Sequence, residues 1–111
     1  MASSNGNAMR AIMARAPVIP VLTLERESDA VPLARALCAG GLTVLEVTLR
    51  TSAALAAIAA MRRAVPEAVV GAGTLTRPAD FARVAAAGAQ FAVTPGLTDE
   101  LAAAATLQRR A

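Results

Sequence analysis

Residues 44–52 read VLEVTLRTS. The run is as apolar and β-branched as a buried strand, yet it holds a carboxylate at Glu46 and a guanidinium at Arg50. Alternate residues of a strand share a face. Glu46, Thr48 and Arg50 therefore point one way, while Leu45, Val47 and Leu49 point the other. The apolar set calls for helices to cover it. The polar set faces an interior where a charge is costly to desolvate unless it is paired or serves a ligand. Spacing alone admits both an ion pair that fills the interior and a binding site.

The flanking sequence sets this run in a repeating pattern. Short β-branched runs, VIPVLT (18–23), TVLEVTL (43–49), AVVGAG (68–73) and QFAVTP (90–95), alternate with Ala/Leu/Arg segments near 26–39, 52–64, 78–87 and 98–107. Those segments carry helix signals. Thr51 or Ser52 stands where it can cap the second helix, Pro78 falls just inside the third, and Asp99 and Glu100 follow Thr98 at the positive end of the fourth. Gly40, Gly41 and Gly88 fall where helices should stop. Strands alternating with helices of this length argue for an α/β fold of parallel βαβ units. No G-x-G-x-x-G follows the first strand, so a dinucleotide-binding fold has little support. What remains is a (β/α) barrel, whose chemistry sits at the carboxyl ends of its strands. Complete barrels take about 250 residues. Four βα units in 111 residues make half of one.

Composition bounds the function. The chain is 56% hydrophobic and 17% charged, enough for a core, but aromatics are only 2% and alanine is abundant. Such helices form readily and rely on Leu, Ile, Val and Met for buried area. A net charge of +3 without aromatic stacking residues reads as a solvated surface, not a nucleic-acid footprint. No run approaches the roughly 20 apolar residues of a membrane span. Cys38 is alone, so no disulfide framework or zinc cluster is available, and it reads as a small buried apolar residue. There is no histidine to activate it or to serve as a general base. A cytoplasmic location fits. All 11 basic residues are arginine, and the chain has no lysine.

The start, MASSNGNAMRAIMARAP, is free of acids and carries arginine, a composition shared with transit peptides. We read it instead as a short amphipathic helix near 8–15 that closes one end of the domain. Residues 1–16 are then an extension, 17–107 the half-barrel and 108–111 a tail. The third and fourth strands end much as the second does. Gly71 and Gly73 leave room for a substrate beside the backbone, and Thr74 follows with a hydroxyl. Thr94, Pro95 and Gly96 follow the fourth strand. Each is also an ordinary strand-to-helix turn. All lie at strand carboxyl ends, as a single pocket requires.

Four segments, PVIPVLTL, ALCAGGLTVLEVTLRT, VPEAVVGAGTLT and AGAQFAVTPGLTDEL, run in this order from Pro17 to Leu101. Together they resemble the family of 2-keto-3-deoxy-6-phosphogluconate (KDPG) and 4-hydroxy-2-oxoglutarate (KHG) aldolases. The resemblance implies a class I aldolase that works through a lysine Schiff base, without metal or other cofactor. Its substrates would be 2-keto acids. One is 2-dehydro-3-deoxy-6-phosphogluconate, cleaved to pyruvate and glyceraldehyde 3-phosphate; the other is 4-hydroxy-2-oxoglutarate, cleaved to pyruvate and glyoxylate. The same resemblance makes Glu46 the proton donor and acceptor. It assigns Arg50 and Thr74 to the pyruvate carboxylate, which a guanidinium grips bidentately, and Pro95 to the apolar wall of the pyruvyl pocket. It also implies a homo-oligomer, in the family a trimer.

One departure matters. In the family the Schiff-base lysine lies on strand six and the phosphate site on strands seven and eight, and no lysine stands anywhere in these 111 residues. The chain alone is expected to be inactive, and its end, TLQRRA, reads as a truncation or a shifted frame. A half-barrel also leaves two strand edges open. The alternative is a non-catalytic half-barrel that assembles with a partner or a complementary half.

Overall fold

The computed structural model describes the backbone of residues 2–110 and the side chains of residues 6–107. Helix α1 (Ala2–Arg15) leads to β1 (Val21–Leu22) and a 3-10 turn (Glu27–Asp29). After it come α2 (Ala30–Ala39), β2 (Val44–Thr48), α3 (Ala54–Ala64), β3 (Val69–Gly73), α4 (Pro78–Ala87), β4 (Ala92–Val93) and α5 (Asp99–Arg110). The strands pair in chain order, β1-β2-β3-β4, and every pairing is parallel. Four successive parallel βα units are the arrangement of half a (β/α) barrel, as the alternating sequence requires.

The central strands run five residues and the outer two only two. Proline explains part of this. Pro20 has no N–H to give, though its carbonyl accepts from Glu46 N at 3.0 Å. Pro95 follows β4 closely. At the start of β4, Gln90 extends the ladder with its side chain. Its backbone N donates to the Val70 carbonyl at 2.7 Å, and its Oε1 accepts from Val70 N at 2.8 Å.

Two apolar clusters hold the sheet. On the helix side, Leu45, Val47, Val70 and Ala72 pack against Ala34 of α2, Ala57, Ile58 and Met61 of α3, Phe81 and Val84 of α4, and Leu101 of α5. The buried alanines let these helices sit close to the sheet, so a chain poor in aromatics still packs densely. The inner face is divided. Toward its amino end Val44 and Val69 pack with Phe91 and Ala16 beneath Met9 and Ile12 of α1. Toward its carboxyl end it carries Glu46 and Thr48.

Several local expectations need correction. The helix expected near 26–39 begins at Ala30, because Pro32 is tolerated only in a first turn; residues 27–29 form the 3-10 turn instead. Neither Thr51 nor Ser52 caps α3, whose N-cap is Ala53. The Thr51 hydroxyl is engaged elsewhere, donating to the Leu24 carbonyl. Cys38 is half-buried, not buried. Desolvation raises its thiol pKa, helped by Glu67 and opposed by Arg15. Helix α5 runs through Arg110, past the expected end at 107, while Met1 and Ala111 lie outside the described residues. Among the described residues no helix is long and apolar enough to cross a membrane.

Candidate functional site

The polar half of the inner face starts with Glu46. Its strand is held on both sides by parallel ladders, which aim every second side chain inward. The carboxylate lies over Gly73 of β3 and is half-buried. Burial raises its pKa above the usual glutamate value, so it holds a proton to higher pH than a surface glutamate does. Thr48, two residues on, is 1% exposed. Its hydroxyl donates to the Leu22 carbonyl at 3.1 Å and lies 3.1 Å from the Thr23 hydroxyl, which ties the ends of β1 and β2 together.

Arg50 is placed differently from the expectation. β2 ends at Thr48, and Arg50 stands in the turn beyond it, exposed. It is not an inward-facing strand residue. The last bond of the β2–β3 ladder runs from Leu49 N to the Gly73 carbonyl at 2.9 Å, and β3 ends at Gly73, so Arg50 has no partner on that strand. Among the described residues Arg50 makes no ion pair, so its guanidinium is free toward solvent at the mouth. Thr74 is the first residue past β3 and has φ 62, the left-handed region. Leu75 N then reaches the Val93 carbonyl at 3.4 Å, which sets Thr74 beside the end of β4. Pro95 lies just beyond β4 and is exposed.

All four residues thus sit at or near the carboxyl end of the sheet, on three adjacent strands and the turns after them. Glu46 adjoins Gly73, the neighbour of Thr74. Thr74 also lines a cleft of about 130 Å³ with Thr51, Ser52, Arg77, Asp80 and Arg83, which Glu46 and Arg50 do not line. A cavity of about 440 Å³ lies between α1, α4, α5 and the start of β4, toward the amino end of the sheet, and none of the four residues lines it. Among the described residues no three His, Cys, Asp or Glu side chains gather as a metal site would need.

Sequence reading missed Asp80. It is buried, and one carboxylate oxygen accepts from Thr76 N at 3.1 Å and Arg77 N at 3.0 Å, closing the start of α4. The other oxygen faces Arg83 at 3.3 Å and Arg77 at 3.6 Å. Burial pushes its pKa up, but the two backbone donors and the two guanidiniums outweigh that and hold it below the usual range. An acid three residues after the one before Pro78 was the available signal.

The half-buried Glu46 carboxylate and the exposed Arg50 guanidinium lie at the carboxyl ends of four parallel βα units, the end at which (β/α) barrels as a class carry their chemistry. The family model for KDPG and KHG aldolases matches residues 9–111, and the chain belongs to this family. It is 55% identical over 95 residues to the KHG/KDPG aldolase of Escherichia coli K12, covering 86% of this chain and 45% of that protein. Against the 2-dehydro-3-deoxy-phosphogluconate aldolase of Zymomonas mobilis it is 52% identical over 100 residues, 90% of this chain and 48% of the other. The crystal structure of the Zymomonas mobilis ZM4 enzyme with 3-phosphoglycerate superposes with a TM-score of 0.85 at 51% identity, over 90% of this chain and 47% of that one. A Legionella pneumophila KDPG aldolase, with pyruvate captured as a covalent carbinolamine, gives 0.81 at 50% identity over 85% and 46%. The chain spans just under half the length of the curated relatives it matches.

Proposed function

We propose that this chain supplies the acid/base and carboxylate-binding half of a class I aldolase site. The substrates are 2-dehydro-3-deoxy-6-phosphogluconate, giving pyruvate and glyceraldehyde 3-phosphate, or 4-hydroxy-2-oxoglutarate, giving pyruvate and glyoxylate. In such a reaction an amine condenses with the C2 ketone and loses water. The resulting cation draws electrons from the C3–C4 bond as the C4 hydroxyl loses its proton, and the aldehyde leaves. Glu46 moves protons through water in these steps. Arg50 and Thr74 hold the pyruvate carboxylate, and Pro95 lines the apolar side of the pyruvyl pocket. The observation that carries this reading is the Glu46 carboxylate on the inner face, with its pKa raised by burial. A general acid/base benefits from a pKa moved toward neutral pH.

The 111 residues contain no lysine, so the chain does not itself provide the side-chain amine for the imine. The reaction needs no metal or organic cofactor, and a homo-oligomeric, cytoplasmic protein without nucleic-acid or membrane partners fits the family. Calorimetry with pyruvate tests the binding half of the proposal: weak binding is expected, and it should vanish in Arg50→Ala. Borohydride treatment with pyruvate, followed by intact mass measurement, should leave this chain unmodified. A stoichiometric adduct would refute the assignment of the amine to a lysine outside these residues.

A second reading rests on the outer strands. Val21 of β1 and Val93 of β4 are 60% and 39% exposed, and among the described residues neither edge is paired. This favours a half-barrel that completes itself against a complementary sheet.

A further inference from the structure

Two glycines stand on the inner face of β3, and neither is there for its backbone freedom. Positive φ among the described glycines occurs at Gly41 and Gly88, not at Gly71 or Gly73. Alanine would suit the backbone at both strand positions, so what their missing side chains provide is space. A Cβ on Gly71 would collide with the Phe91 ring, at Cε1, Cζ and Cε2. A Cβ on Gly73 would fall against Oε2 of Glu46, 2.8 Å from its Cδ and 3.0 Å from its Cγ.

The strand register makes the second contact informative. Glu46 pairs with Gly71, and it is Thr48 that pairs with Gly73. The Glu46 side chain therefore leans diagonally, one pair toward the carboxyl end. The place directly across is taken by the Phe91 ring. Thr48 does not compete for the space over Gly73, because its hydroxyl is turned to the Leu22 carbonyl and to Thr23.

We propose that Gly73 is a positioning residue for Glu46: its bare Cα is the seat that holds the carboxylate on the sheet at the strand-end mouth, while Phe91 blocks the alternative seat over Gly71. The catalytic weight of this seat rests on the reading of Glu46 as proton carrier; the seat itself does not. A carboxylate held on the sheet is partly shielded from water, which agrees with its raised pKa. Among the described residues no cation is paired with it.

The test is a double-mutant cycle on the chain: wild type, Gly73→Ala, Glu46→Ala and the double variant, unfolded in urea. The added methyl group must push the half-buried Glu46 carboxylate aside and is expected to lower the folded-to-unfolded ratio severalfold when Glu46 is present. With Glu46 cut back to alanine, the same substitution should cost less than about twofold. If Gly73→Ala does not fold, recovery of folding in the double variant supports the seat equally. A second readout excludes a merely structural effect. In chain labelled with ¹³C-glutamate, the Glu46 carboxyl of folded Gly73→Ala should titrate at lower pH than in wild type, because it is pushed off the sheet into water. Equal cost of Gly73→Ala in both backgrounds, failure of both variants to fold, or an unchanged titration overturns the proposal. Absence of pyruvate binding to the wild-type chain counts against the proposed function alone, since the cycle contains no ligand.

Discussion

Thr74 carries a conformation that a β-branched residue adopts only under constraint, with φ 62 at the first position past β3. Such strain costs on the order of 1–3 kcal/mol and clusters at functional sites. Thr74→Gly removes the strain and the hydroxyl together. After glycine's extra unfolded-state entropy is subtracted, the variant is expected to be more stable by about 1 kcal/mol, while its pyruvate binding falls. Urea midpoints and calorimetry on the same samples check both, and a lower midpoint would show that Thr74 stores no strain. Glu46 gives a pH signature. Its native pKa lies above the ordinary 4.5, because burial disfavours the charged form. The folded state therefore keeps its proton after the unfolded state has lost it. The stability tied to that proton is complete below 4.5 and is lost as pH rises through the native value. Glu46→Gln should thus be more stable than wild type at pH 7, with the advantage fading in acid. Urea unfolding across that range reads it directly.

Helix starts show why element ends are harder to read than elements. α4 has Pro78 in its first turn and Gly88 in the left-handed region, φ 101, at its end. Both are local signals, and both were legible. α3 has no side-chain cap, because the hydroxyl that suits the task, on Thr51, bonds to Leu24 in the preceding βα loop. The buried Asp80 carries more of the start of α4 than any N-cap side chain. Asp80→Ala removes an acceptor for two backbone N–H groups and strands them, at an expected cost of about 2–3 kcal/mol at neutral pH. Its pKa is lowered overall, despite burial, by the donors and guanidiniums around it. The contribution is therefore present above the ordinary 3.8 and is lost as pH falls through the lower native value. The gap between Asp80→Ala and wild type should narrow in strong acid. A gap that stays constant would mean that the carboxylate's charge contributes nothing.

The assembled sheet has two short outer strands whose exposed valines, Val21 and Val93, leave backbone groups open to pairing. The inner face is sealed at its amino end by Phe91 and α1 but is polar and open at the other. A chain shaped this way is expected to self-associate at micromolar concentration. Val21→Lys with Val93→Lys should shift it toward monomer, since an edge lysine blocks strand addition at little cost to the fold. Sedimentation velocity measures the change. An unaltered distribution would place the association elsewhere on the surface.

Much of the architecture was readable because it rests on local periodicity. Period-two runs between alanine-rich segments, with proline and glycine at the breaks, require parallel βα units whatever their neighbours do. The segments around Glu46, Thr74 and Pro95 were specific enough to point to the family. The inward face of β2 also followed from alternation at Glu46 and Thr48. What had to come from packing is of another kind. Arg50 leaves the strand because β2 stops where β3 stops, Thr51 is used by Leu24, Glu46 leans onto Gly73 because Phe91 fills the nearer space, and Asp80 is buried beside Arg83. The first three are contacts between residues more than twenty positions apart in sequence. Their geometry is set by how the βα units stack, and no local preference of the chain encodes it.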